Sequence, residues 1–193
     1  MLVTSRHQMK PSFERCLENA LLNGAALIQL REKDLDQTLF TYMAQMCRKL
    51  CVNYRAEILI NGRPKMAQRL AIGGLHLPES ALELDTLPEF PLMGFSVHSL
   101  ENAKRAEVLG AKYLVYGSIF PTASHSEIAP VGLEELRTVT QAVSCPVYAI
   151  GGITAANAKS CQEAGAYGVA VMSAVWQAPD VGEAVRDLLE VLL

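Results

Sequence analysis

The sequence predicts an α/β protein, a single (β/α)8 TIM barrel spanning residues 1–193. Three observations predict it. Apolar runs alternate strictly with amphipathic segments, about eight of each. The runs are largely continuous in apolar residues rather than alternating, as strands covered on both faces must be. Each strand–helix unit takes about 24 residues, which suits a compact closed barrel better than an open doubly wound sheet of fewer units.

The strand-like runs come in the order MLVTS, AALIQL, EILIN, GGLHL, PLMGFSV, KYLVYGSIF, PVYAI and YGVAVMSAV. Between them, PSFERCLENALLNG, LDQTLFTYMAQMCRKLCVNY, RPKMAQRLAIG, SLENAKRAEVLGA, GLEELRTVTQAV and TAANAKSCQEAGA carry apolar residues at helical spacing, and DVGEAVRDLLEVLL closes the chain the same way. The segment ESALELDTLPEF is too short to give a clear helix. A further helical turn is expected after Met172-Ser173.

Half of the residues are hydrophobic, enough for a sizeable core, and the net charge of −3 supplies no general attraction to nucleic acid or to an anionic membrane. No apolar stretch is long and charge-free enough to span a bilayer, and the first residues run straight into a strand instead of a signal peptide. The five cysteines form no CxxC pair and have no further ligands at zinc spacing. They suit reduced thiols in a cytoplasmic protein, and a homo-oligomer is compatible with everything above.

Barrel chemistry sits at the carboxyl ends of the strands, so these ends select the candidate residues. Gly151-Gly152 can let backbone approach a ligand, Thr154 can cap the next helix, and Met172-Ser173 ends the neighbouring strand. Together they suit a phosphate, although a tight strand-to-helix turn would use the same glycines. Gln29 lies within an apolar run, so its amide needs a partner. Arg31 and Lys33, two apart, can face one anion or simply open a solvated turn. Asn61 precedes Gly62 and fits either a ligand contact or a turn. Ser96 and Ser99 flank His98, a residue type that carries protons near neutral pH but is often structural. Ser118, Thr122, Ser124 and His125 stand on a long loop that reads as a lid over the mouth.

These stretches resemble the thiamine phosphate synthase and TenI superfamily. LVTSR, ALIQLREKD, LINGR, GLHLPES, GFSVHSLENAKRAEVLGAKYLVYGSIFPT, PVGLEEL, PVYAIGGITAANA and AGAYGVAVMSAV carry the resemblance across nearly the whole chain. It implies a barrel that binds a small thiazole phosphate, with Gly151, Gly152, Met172 and Ser173 around the phosphate and Gln29, Arg31, Lys33, Asn61, Ser96, Thr122 and Ser124 around the rest. Two activities belong to the superfamily. The synthase joins a pyrimidine diphosphate to the thiazole phosphate and uses Mg²⁺. The TenI-type tautomerase moves a proton and aromatises the thiazole ring without metal.

The departures separate them. Gly62 and Ala81 stand where the synthase pattern has acids, and His125 stands in place of its lid lysine. Glu79 is close to the second acid but offset from it. Ser118 occupies the position of the tautomerase histidine, which leaves His98, Ser118 and His125 as the candidate catalytic residues. The resemblance therefore implies a TenI-like thiazole tautomerase that needs no cofactor. The alternatives are a synthase, expected to be weak and the only case needing Mg²⁺, and a non-catalytic thiazole phosphate binder or regulator.

Overall fold

The computed structural model describes residues 1–122 and 129–193. Eight parallel strands follow one another in chain order: β1 (Leu2–Val3), β2 (Leu27–Leu30), β3 (Glu57–Asn61), β4 (Gly74–Leu77), β5 (Leu92–Val97), β6 (Tyr113–Tyr116), β7 (Val147–Ile150) and β8 (Gly168–Ala170). The last strand returns to the first. Leu2 bridges Val171, the Val3 N–H donates to the Val171 carbonyl at 2.9 Å, and the Val171 N–H donates to the Met1 carbonyl at 3.0 Å. The ring of eight is the TIM barrel expected above.

Side-chain alternation explains why the strands are mostly apolar on both faces. Ile58 and Ile60 point out to the helices, whereas Leu59 points into the barrel. Leu114 and Tyr116 point out, whereas Tyr113 and Val115 point in. With both faces covered, most strand positions are buried. Inside, the Tyr113 ring takes so much room that β5 needs a glycine beside it. A Cβ on Gly94 would lie 2.2 Å from the ring.

The helices are α1 (Phe13–Leu22), α2 (Gln37–Asn53), α3 (Pro64–Arg69), α4 (Leu100–Val108), α5 (Gly132–Ala142), α6 (Ala155–Glu163), α7 (Ser173–Trp176) and α8 (Val181–Leu192). The short segment after β4 forms a 3₁₀ turn, Glu79–Glu83, which holds Ala81 and Leu82 in the core. Helix α7 is the extra turn expected after β8. Its Trp176 indole N–H donates to the Val3 carbonyl at 2.6 Å, sealing the place where the ring closes.

Helix starts are fixed by side chains at the mouth end. Ser12, Asp36, Ser99 and Asp180 each accept an N–H from three residues on, and the Asn157 side chain accepts the Thr154 N–H at 2.8 Å. Because the strands are parallel and the helices run back, all these caps and all strand carboxyl ends share one rim. Gln29 and Gly152 therefore belong to one face of the barrel.

Candidate functional site: the barrel mouth

On the β1–β2 side, Glu32 is 3 % exposed yet carries a carboxylate. Its partners explain how. One oxygen accepts from the Thr4 hydroxyl at 2.8 Å and from the Arg6 N–H at 3.0 Å, and the other accepts from the Arg6 guanidinium at 3.2 Å. The guanidinium also forks onto Asp34 at 2.5 and 2.6 Å, which raises the Arg6 pKa and holds Asp34 well below the usual carboxylate range. Thr4 Oγ1 accepts the Arg31 N–H at 3.0 Å. The turn after β2 is thus clamped at Arg31, Glu32 and Asp34.

The clamp leaves Arg31 and Lys33 on the other side of the backbone. No described carboxylate pairs with either. They are near enough to feel one another, since the Arg31 charge is the main cause lowering the Lys33 pKa. Two adjacent cations with no protein counter-ion suit an anionic ligand. Gln29 is 3 % exposed, and no described group bonds its side-chain amide. The residues missed as a unit in the sequence are Thr4, Arg6 and Glu32. Arg–Glu–Lys–Asp looked like one charge cluster, and only the fold shows which charges neutralise each other.

Across β3 to β5, Asn61 pairs in register with His76. His76 is buried at 2 % exposure. Its Nδ1 lies 3.0 Å from the Tyr113 hydroxyl and its Nε2 lies 2.8 Å from Ser96 Oγ. Burial, helped by the Arg31 charge, pushes its pKa down to about 3, so the ring is neutral. Ser96 was expected to meet a ligand, but its hydroxyl is already engaged with His76. His98, two residues on, stays largely exposed and is held by Glu79, whose carboxylate accepts the His98 N–H at 2.8 Å and lies 3.0 Å from Nδ1.

On the β6–β8 side, the Ser118 hydroxyl donates to the Phe120 carbonyl at 3.0 Å. That bond folds the loop and gives Ser118 a structural task rather than a free proton. The glycines serve the same loop. A Cβ on Gly151, at φ +101°, would lie 2.2 Å from Ser118 Oγ, and one on Gly152, at φ +64°, would lie 2.4 Å from the Pro121 carbonyl oxygen. Sequence reasoning gave the missing Cβ atoms to a ligand, whereas here they make room for residues 118–121. The N–H groups of Gly152 and Ser173 donate to no described acceptor. Met172 packs at the top of the barrel interior. Thr122 stands on the same loop. Ser124 and His125 lie outside the described residues.

A metal fares poorly. Among the described residues no three His, Cys, Asp or Glu side chains gather to hold an ion. Glu32, Asp34 and Glu79 are all engaged with cationic or N–H groups of the protein. Ala81 is buried in the apolar core, so an acid placed there would bury its charge. The described residues do not fit Mg²⁺.

Known proteins agree on one family. The family model described as thiamine monophosphate synthase matches residues 1–175. The chain is 41 % identical over 175 residues to a putative thiamine-phosphate synthase 2 of Aquifex aeolicus, covering 89 % of this chain and 94 % of that one. It is 33 % identical over 194 residues to the thiamine-phosphate synthase of Clostridium botulinum, covering 97 % and 95 %. Among solved structures, the thiamine phosphate pyrophosphorylase from Pyrococcus furiosus superposes with a TM-score of 0.87 at 35 % identity, covering 99 % of this chain and 93 % of that one. None of these three is named a tautomerase, so the activity ranked first from the sequence gains no support from them and the synthase alternative does. With the barrel, its mouth and its motifs in agreement, this chain belongs to the thiamine monophosphate synthase family.

Proposed function

We propose that the barrel is a transferase of the thiamine-phosphate synthase type, joining a pyrimidine diphosphate to a thiazole phosphate. The observation that carries this reading is the presence of two anion-suited groups on one rim. Among the described residues, Arg31 and Lys33 after β2 have no paired carboxylate, and the N–H groups of Gly152 and Ser173 after β7 and β8 have no acceptor. Two phosphorylated substrates need two such places.

In the reaction, the bond between the pyrimidine methylene carbon and the diphosphate oxygen breaks, and the diphosphate leaves with the electron pair. A new bond forms from that carbon to the thiazole nitrogen. Arg31 and Lys33 would take up the charge that builds on the leaving group. The Thr4–Glu32–Arg6 clamp keeps their backbone from yielding, and Gln29 offers an amide to the pyrimidine between the two anions. No step is routed through a metal, because the carboxylates at the mouth are engaged elsewhere.

A second reading rests on that same lack of carboxylates: proton transfer on a thiazole phosphate carboxylate, with His98 as the acid–base group. Purified protein assayed with both substrate sets separates the two. Thiamine phosphate formed with and without added Mg²⁺, above the background of a protein carrying Arg31→Ala and Lys33→Ala, is the expected result. Turnover of the thiazole tautomer alone would replace the first reading by the second.

The cationic pair makes its own prediction. Arg31→Ala is expected to weaken inorganic pyrophosphate binding about tenfold, the worth of one or two charge-assisted hydrogen bonds. The melting temperature should hardly move, since no hydrogen bond to its side chain is lost. Calorimetry showing equal affinity would remove Arg31 from the site.

A further inference from the structure

The mouth contains one more pair of ionisable side chains, Glu79 and His98. Glu79 opens the 3₁₀ turn after β4, and His98 directly follows β5. Both oxygens of Glu79 meet His98, Oε1 the backbone N–H at 2.8 Å and Oε2 the ring Nδ1 at 3.0 Å, and the Asn102 side chain bonds the same carboxylate. A side chain gripped at both points has a fixed ring plane. Nδ1 carries the proton toward Glu79, and no other described group engages Nε2.

The direction of the ring follows from the strand. A Cβ on Gly94 would strike Tyr113 inside the barrel, and Ser96 bonds the buried His76. Positions 94 and 96 therefore point inward, and 98 continues that parity over the mouth. Arg31 acts electrostatically on His76, which bonds Ser96 on the same strand. Glu79 also explains itself this way. A carboxylate on a rim that must accept anions is unfavourable unless its charge is covered, and its pKa is lowered by bonds from His98 and Asn102 despite partial burial.

We propose that Glu79 and His98 form an anion-binding dyad, in which Glu79 positions His98 so that its Nε2–H donates to the diphosphate of the pyrimidine substrate, opposite Arg31 and Lys33. The inference rests on the transferase reading above. Held by Glu79, the His98 ring adds a third donor to the Arg31 and Lys33 pair, on a rim where this chain has Ala81 in place of the acid of the family's pattern. Glu79 is a positioning residue, and His98 is the contact.

The test uses the ¹⁵N resonances of the histidine side chains while inorganic pyrophosphate is added to the intact protein. His98→Asn assigns the His98 signals among the four histidines. The expected result is a saturable shift of His98 Nε2, with Nδ1 remaining protonated. In Glu79→Gln, the Nδ1 signal loses its carboxylate-bonded position and pyrophosphate affinity falls about tenfold. Glu79→Asp should restore part of both, while thermal melts confirm that each variant is folded. Saturable, Arg31-dependent binding that leaves His98 unmoved, or that is equal in Glu79→Gln, overturns the dyad and leaves the transferase reading standing. If pyrophosphate binds nowhere on the wild-type protein, both fall.

Discussion

Gly152→Asp destabilises the protein by about 3 kcal/mol, and an affinity assay alone would misread it. From the sequence, the substitution looks like a clean probe that places a carboxylate where a phosphate sits and leaves the fold intact. The structure says otherwise. The new Cβ would lie 2.4 Å from the Pro121 carbonyl oxygen, 2.8 Å from Phe120 Cβ and 3.0 Å from the Phe120 carbonyl carbon. Two of these are backbone atoms, which cannot swing aside as a side-chain end does. Residues 118–121 are further held by the Ile119 and Phe120 N–H groups on the Ile150 and Gly151 carbonyls at 2.9 and 3.0 Å. Overpacking of this kind costs roughly 1–3 kcal/mol, and the left-handed backbone adds about 1.

Gly62→Asp is the control. It shares the left-handed backbone, at φ +67°, but its Cβ would meet nothing within 4 Å. It should cost about 1 kcal/mol, so the melting temperature should drop by roughly 2–4 °C against roughly 6–12 °C for Gly152→Asp. Equal drops would mean that the loop yields freely and that the close packing has no energetic weight. Gly152→Ala then isolates charge from shape. It makes the same collision without a carboxylate, so any phosphate affinity lost only in the Asp variant is electrostatic.

Much of the fold was legible because it depends on pattern. Largely continuous apolar runs point to strands covered on both faces, and eight of them in alternation with helices leave little but a closed barrel. Caps such as Ser99 and Thr154 were visible because their chemistry is local. The site was legible only as a set of strand ends. Which charges remain available there depends on pairing over long sequence distances, and a one-dimensional reading cannot see it. Arg6 and Glu32 lie 26 residues apart and neutralise each other, while Arg31, beside Glu32 in sequence, has no counter-ion among the described residues. Ser96 and Ser118 have the residue type of ligand contacts, but His76 and Phe120 already engage their hydroxyls. The activity was hardest to read, because the lost acids at 62 and 81 point away from the synthase while the relatives point toward it.

Acid should find one weak point inside the barrel. His76 is neutral in the folded protein, with its pKa pushed down to about 3 by burial and by the Arg31 charge. In the unfolded chain it titrates near the ordinary value of about 6.5. Between those values the unfolded chain takes up a proton that the folded one refuses. Stability from this group is therefore complete above about pH 6.5 and is lost as the pH falls, by about 1.4 kcal/mol per unit and about 2 kcal/mol at pH 5. Carboxylates with lowered pKa, such as Glu79, add their losses only further down. The N-terminal amine, buried and bonded to the Val169 carbonyl, also loses stability between its ordinary value and about 5, so the absolute slope belongs to both groups. A difference removes that overlap. His76→Gln keeps a donor and an acceptor for the Tyr113 and Ser96 hydroxyls and removes the titration. It should be less stable than the parent by about 1–3 kcal/mol at pH 7.5, with the gap shrinking by about 2 kcal/mol at pH 5. Urea unfolding at four pH values between these limits measures it. Parallel stability curves would show that His76 accepts its proton inside the fold. The neutral ring bonded to Ser96, and with it the account of how the floor of the mouth is held beside Arg31, would then have to be given up.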